Sequence, residues 1–170
     1  MTSPAPAAYC RVQAWYRGRL GVEVGVFVAV DHLRRAGELT PNEVGAYLDI
    51  DDWFRLHLPE PDFFRDGNSI GAVTWFKAPI PPQMWRRTRS LMAILAGHDV
   101  DHELVFSDDP GTVVYADDFQ IGVIPHVRGA QTPMPPGVRL GPTTSGSKRD
   151  LPHGPVAESK KVGADDPAPT

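Results

Sequence analysis

The chain has few of the residues that build disulfides or membrane spans. Its only cysteine, Cys10, excludes an internal disulfide among the 170 residues. The most apolar stretch, residues 22–30, is interrupted by Glu23 and followed by Asp31, so it falls far short of the ~20 apolar residues that cross a bilayer. The first thirty residues lack a charged segment followed by an apolar run and a cleavage site. We therefore expect a cytoplasmic protein with no membrane partner.

Aromatic residues are missing from the last part of the chain. All of them precede Val127, and Gly and Pro make up 14 of the last 45 residues. Without aromatics or an apolar stripe this part has no means of forming a core. The composition therefore predicts a disordered leader over residues 1–9, a globular domain over 10–126 and a disordered Pro/Gly-rich tail over 127–170.

Lysine is scarce, and the body of the chain is acidic. The whole sequence has 4 lysines and 13 arginines, and residues 1–125 carry 11 basic against 17 acidic side chains, a net charge of −6. An acidic body repels phosphate, which argues against general binding of nucleic acid.

The first part of the domain reads as extended chain followed by a helix. Residues 11–17 and 22–30 both have the pattern of strands, and the second places valines on one face at a period of two. A helix over 27–35 competes with the second strand, because Phe27, Val30 and Leu33 have helical spacing. We favour a strand that gives way to a short helix, which Gly37 ends.

The clearest local signal is the start of a second helix. Thr40 supplies a capping hydroxyl, Pro41 suits the first helical position, and Glu43 returns a carboxylate three residues later. The predicted apolar stripe comprises Val44, Tyr47, Leu48, Ile50, Trp53, Phe54 and Leu58. The same spacing places Asp49, Asp51 and Asp52 largely on the solvent side.

A third helix and three more extended segments complete the pattern. Met84, Trp85, Thr88, Leu91, Met92 and Leu95 predict a helix that ends at Gly97. Residues 72–77 alternate as a strand, and 102–106 and 119–124 also have the pattern of strands, with 112–115 either a short strand or part of the same bent one. The predicted fold is a single α+β domain. It has a mixed or antiparallel sheet of about four strands, with two to three helices packed on one face.

One segment carries a resemblance to known sequences. The run Asp66-Gly67-Asn68-Ser69-Ile70-Gly71-Ala72-Val73-Thr74-Trp75-Phe76-Lys77, with the turn at residues 108–111, resembles a group of small actinobacterial proteins without an assigned activity. The resemblance covers about 100 residues and supplies no catalytic or binding residue. In similar sequences residues 27–33 look more helical than here.

Signatures of catalysis are absent or weak. No Gly-x-Ser-x-Gly turn or phosphate-binding loop occurs, and nothing near Cys10 indicates an activated thiolate. We assign no catalytic residue, metal ligand or cofactor, and whether the protein is an enzyme stays open. One alternative is a small metal-dependent enzyme that uses His98 and His102 with Asp99 or Asp101, although a solvated turn explains these residues equally well.

The loop before the predicted strand at residues 72–77, together with that strand, brings polar side chains, a tryptophan and a lysine together within a dozen residues. These candidate ligand-binding residues are Asp66, Asn68, Ser69, Trp75 and Lys77. The competing interpretation is a tight turn satisfied by Asp66 and Asn68, with Trp75 in the core and Lys77 at the edge of the sheet.

Two charged clusters give further alternatives. Arg86, Arg87 and Arg89 suit a nucleic-acid-associated accessory protein, and the aspartates near Trp53 and His57 suit acid–base work, but solvated helix faces explain both. By elimination the leading hypothesis is an interaction or small-ligand-binding domain whose partner is a protein or a small molecule.

Overall fold

Nine helices and strands make up the part of the chain that the structure, a computed structural model, describes, residues 6–132. In chain order they are β1 (Tyr9–Arg17), β2 (Glu23–Gly25), α1 (Val26–Arg35), α2 (Pro41–His57), β3 (Val73–Lys77), α3 (Pro82–Gly97), β4 (His102–Ser107), β5 (Thr112–Ala116) and β6 (Gln120–Ile124), with a short 3-10 turn at Asp62–Phe64. The α+β class is confirmed. The expected strand number was too low, because β2 and β5 are short.

Strand β1 lies at the centre of a fully antiparallel sheet. Strand β4 pairs with one edge of β1 from Tyr9 to Ala14. The other edge is shared, since β3 pairs with Tyr9 and Cys10 while β2 pairs with Gln13 and Arg17. Strand β6 continues the sheet beyond β3, and β5 follows β6. Strands β4 and β5 therefore lie at its two opposite edges.

The helices pack against one face of this sheet. Successive residues of a strand point to opposite faces, and the even-numbered residues of β1 point towards the helices. The core beneath the helices includes Val12, Ala14 and Tyr16 of β1 with Val30, Leu33, Tyr47, Phe54, Met84, Leu91 and Leu95. We call the opposite side the far face. Within residues 6–132, no helix is long and apolar enough to span a membrane.

The boundary between β2 and α1 settles the ambiguity of residues 22–30. Only Glu23 to Gly25 are extended, and the helix begins at Val26, one residue before the expected Phe27. The alternating valines indicated a longer strand, but Val26, Ala29, Val30 and Leu33 are buried at helical spacing. Gly37, at φ +75°, follows the helix as expected.

Helix α2 begins with the predicted capping box. The Thr40 hydroxyl accepts from the Glu43 N–H at 3.3 Å, and the Glu43 carboxylate accepts from the Thr40 N–H at 2.8 Å. His98, which follows α3, places Nε2 3.1 Å from both oxygens of the same carboxylate. The box therefore also joins the start of α2 to the end of α3.

The expected solvent position of Asp51 is wrong. Asp49 and Asp52 are exposed, but Asp51 is buried, because it lies one turn after Tyr47 and one before Phe54 on the packed face. Its carboxylate forms an ion pair with the Arg55 Nε at 3.0 Å. A paired charge at i, i+4 makes this burial tolerable.

Contacts reach beyond the expected limits of the domain. Tyr9 already belongs to β1, and the Ala8 N–H donates to Asp108. After β6, Arg128 donates to the carbonyl oxygens of Leu20 and Gly71 at 2.8 Å, and Thr132 bonds to the Arg17 backbone. The predicted disorder of the tail lies, from residue 133 onward, outside the described residues.

The capping box leads to a test of α2. Replacing Thr40 with Ala should lower the free energy of unfolding by about 1 kcal/mol, because a helix N–H loses its side-chain acceptor. Asn42→Ala, an exposed change on the same turn, serves as the control and should have little effect. Urea unfolding measures both, and equal losses would contradict a cap at Thr40.

The same box makes part of the stability dependent on pH. The Thr40 N–H and His98 hold the pKa of Glu43 below its usual value. A lowered carboxyl pKa stabilises the fold above its unfolded value of about 4.3, and this contribution disappears as the pH falls through the folded pKa.

We therefore expect the stability advantage of the wild type over Glu43→Gln to shrink between about pH 5 and pH 3. Glutamine keeps the neutral capping geometry, so the comparison isolates the charge. Unfolding measured across this range checks the result. An advantage that stays constant with pH would contradict the role of the carboxylate.

Candidate functional site

The predicted ligand loop is organised as a turn around Asn68. Its side-chain Nδ2 donates to the Ala72 carbonyl and its Oδ1 accepts from the Ala72 N–H, both at 2.8 Å. Asn68 itself has φ +54°, between two glycines that also have positive φ. These bonds occupy the amide with the turn, while Asp66 and Ser69 are exposed on the loop.

Trp75 and Lys77 lie away from that turn. Pairing places Lys77 opposite Tyr9 and Trp75 opposite the buried Ile121, which puts both on the far face. Lys77 is five residues beyond Ala72 on an extended strand, a distance of about 17 Å. The five predicted residues therefore do not converge on one small ligand, and their binding role remains a prediction.

The histidines of the proposed metal site point in different directions. His98 contacts Glu43, and the His102 Nδ1 is 2.8 Å from the Val100 carbonyl oxygen. Asp99 has φ +55°, which breaks the extended segment on which the expected shared face depended. Within residues 6–132, no three His, Cys, Asp or Glu side chains are grouped to hold a metal ion.

The three arginines of α3 separate into two environments. Arg86 and Arg89 are exposed on the outer side of the helix. Arg87 instead lies over the indole of Trp53, with its guanidinium carbon 3.8 Å from the ring centroid. The expected patch of three cations is therefore reduced to two.

A pocket of about 310 Å³ lies where α2 ends and α3 begins. Its lining residues come from three places in the chain, and all but His57 and Gln83 are apolar or aromatic: Trp53, His57, Leu58, Pro81, Pro82, Gln83, Met84 and Phe119. None of them is acidic. The volume is at the lower end of the range for small-molecule sites.

Trp53 lines the pocket, and its indole ring contacts two side chains, His57 and Arg87. The His57 ring stacks on it at 4.1 Å with an angle of 12° between the planes, and Arg87 lies over it as a cation–π contact. His57 Nδ1 is 2.8 Å from the Trp53 carbonyl oxygen, which only accepts, so Nδ1 donates. His57 Nε2 is therefore the ring nitrogen left for another partner.

Phe119 also lines the pocket and is held by a polar turn. The Asp117 carboxylate accepts from the Phe119 N–H at 2.7 Å and from the Tyr115 hydroxyl at 2.8 Å. Gln120 Nε2 donates to the Pro59 carbonyl and so connects this turn to the end of α2. These bonds hold the turn that carries Phe119 against the segment that follows α2.

The same turn shifts two pKa values. Burial tends to raise the pKa of Asp117, but the hydrogen bonds from Phe119, Tyr115 and Gln120 outweigh it and leave that pKa lowered. Burial, followed by the adjacent Asp117, raises the pKa of Tyr115 to about 12. The charged carboxylate is therefore the stable form of the turn at neutral pH.

The pocket can hold an apolar ligand that also makes polar contacts. Arg87 contacts two lining residues, since it stacks on Trp53 and donates to the Gln83 carbonyl at 3.0 Å. Sequence reasoning missed this site because its members are far apart in the chain. Only the i, i+4 spacing of Trp53 and His57 was visible as a local signal.

Comparison of the chain with protein-family models, with curated proteins and with solved structures finds no match. The resemblance of residues 66–77 to actinobacterial proteins stays a prediction. Any functional conclusion therefore depends on the geometry of the pocket and of the sheet.

Proposed function

We propose that the protein is a ligand-binding domain whose pocket takes a small apolar carboxylic acid. The observation that carries the proposal is the apolar pocket bordered by the Trp53, His57 and Arg87 stack. The proposal refines the expected small-ligand-binding class and includes the expected cytoplasmic location. It assigns no catalytic step.

The walls favour an apolar ligand body. Leu58, Met84 and Phe119 present carbon surface, and the two prolines add rigid rings without a backbone N–H. Burying apolar area contributes about 25 cal/mol per Å², so a small aromatic or branched ligand gains most of its affinity from these walls. Because Asp117 and Gln120 hold Phe119 in place, little of that gain is spent on ordering the site.

The charges next to the pocket favour an acid. Arg87 is permanently cationic, and its planar guanidinium suits a carboxylate. None of the side chains that line the pocket carries a negative charge, and the nearby Asp117 carboxylate is already occupied by donors from Phe119, Tyr115 and Gln120. Arg87 is therefore the charged group beside the pocket that can pair with an acid.

The test uses phenylacetate and its neutral analogue phenylacetamide. Ten non-hydrogen atoms at about 0.4 kcal/mol each correspond to a Kd of about 1 mM for phenylacetate. Titration followed by amide NMR should move the indole N–H signal of Trp53. Phenylacetamide should bind more weakly, since it lacks the charge that Arg87 attracts.

Two variants test whether Arg87 supplies the charge that attracts phenylacetate. Arg87→Gln should weaken phenylacetate binding about fivefold and leave phenylacetamide within twofold, because the pocket walls are unchanged. Arg86→Gln removes the same charge from the exposed neighbour and should leave both ligands unaffected. Failure to bind at 10 mM, or equal effects of both variants, would overturn the proposal.

A further inference from the structure

The outer edge of β4 is the longest unpaired strand edge among the described strands. Trp15 N–H donates to the Asp101 carbonyl at 2.9 Å, so its backbone groups point towards β4. Backbone groups of alternating residues point the same way in an antiparallel ladder. His102, Leu104 and Phe106 therefore direct their N–H and C=O groups away from β1, at the edge of the sheet.

This edge has little of the usual protection against pairing, because Glu103 is its only charged residue apart from the histidine His102. Natural proteins shield edge strands with lysine, proline or a bulge. Residues 102–107 contain neither lysine nor proline, and their register with β1 is unbroken over six pairs. At the other edge of the sheet, β5 has a register shift between Val113 and Tyr115. The apolar side chain of Phe106 is also 59% exposed.

We infer that β4 pairs antiparallel with β4 of a second copy of this chain, which makes the protein a symmetric dimer. An antiparallel strand pair is compatible with a two-fold axis, so one edge is sufficient to close the assembly. The two sheets then join into one, with both helix layers on the same side. This inference is independent of the pocket.

The side chains favour the β4–β4 register that places Leu104 on the two-fold axis of the dimer. Leu104 then faces the same residue of the second copy, and His102 faces Phe106. Glu103 lies opposite Val105, so no two carboxylates oppose each other along the strand. This register also pairs the outward backbone groups of residues 102, 104 and 106 with one another.

A shift by one residue is less favourable. With Glu103 on the axis, the Glu103 carboxylates of the two copies lie directly opposite each other, and like charges in that position destabilise a strand pair.

The mass of the full chain in solution tests the inference. Sedimentation equilibrium from 1 to 200 μM should give about 37 kDa, twice the 18.6 kDa of one chain. Phe106→Lys should raise the dimer dissociation constant at least tenfold, because it places a charge on the paired edge. The matched control is Val113→Lys on the opposite edge, where Val113 is 51% exposed, and it should leave the dimer intact.

Hydrogen exchange of the wild type gives a readout that does not depend on a variant folding. In the dimer the amides of His102, Leu104 and Phe106 should be protected, and protection should fall on dilution. A monomer at 200 μM would overturn the inference, as would a dimer in which these amides exchange freely. Protection that persists in a monomer would instead assign the edge to a segment of the same chain.

Discussion

The pairing of β1 with three other strands is the constraint on which the rest of the structure depends. One edge of β1 carries β4, while β3 and β2 divide the other edge between them. Strand β3 leaves β1 after Cys10, and β2 takes its place at Gln13. This division lets the short β2 lead directly into α1 and places the helix over the even-numbered side of β1. The core therefore forms around a strand whose two halves have different neighbours.

Structural features that depend on only a few consecutive residues could be predicted from the sequence. The capping box at Thr40, the end of α3 at Gly97 and the positive φ of Gly67 and Asn68 each depend on the chemistry of one turn. The start of α1 was harder, because a row of valines fits a strand and a helix equally well. The choice is made by burial against β1, which a local pattern does not contain.

Features that depend on how the helices and strands pack together could not be predicted. Asp51 is drawn into the packed side of α2, and its pairing with Arg55 is clear only once that side is known. Arg87 reads as one of three surface arginines until α2 brings Trp53 against it. The pocket combines the end of one helix, the start of another and a turn before β6, so its composition follows from the fold. The five residues singled out in sequence were neighbours in the chain, but an extended strand separates them in space.

The position of Cys10 in the central strand determines how the protein reacts with thiol reagents. Its thiol is buried in β1, and burial raises its pKa, so little of it is present as the reactive thiolate. The native chain should therefore react slowly with maleimides and with oxidants while it stays folded. A cysteine introduced on the surface would carry a spectroscopic label selectively without removal of the natural one. Rapid labelling of Cys10 itself would report that β1 has opened.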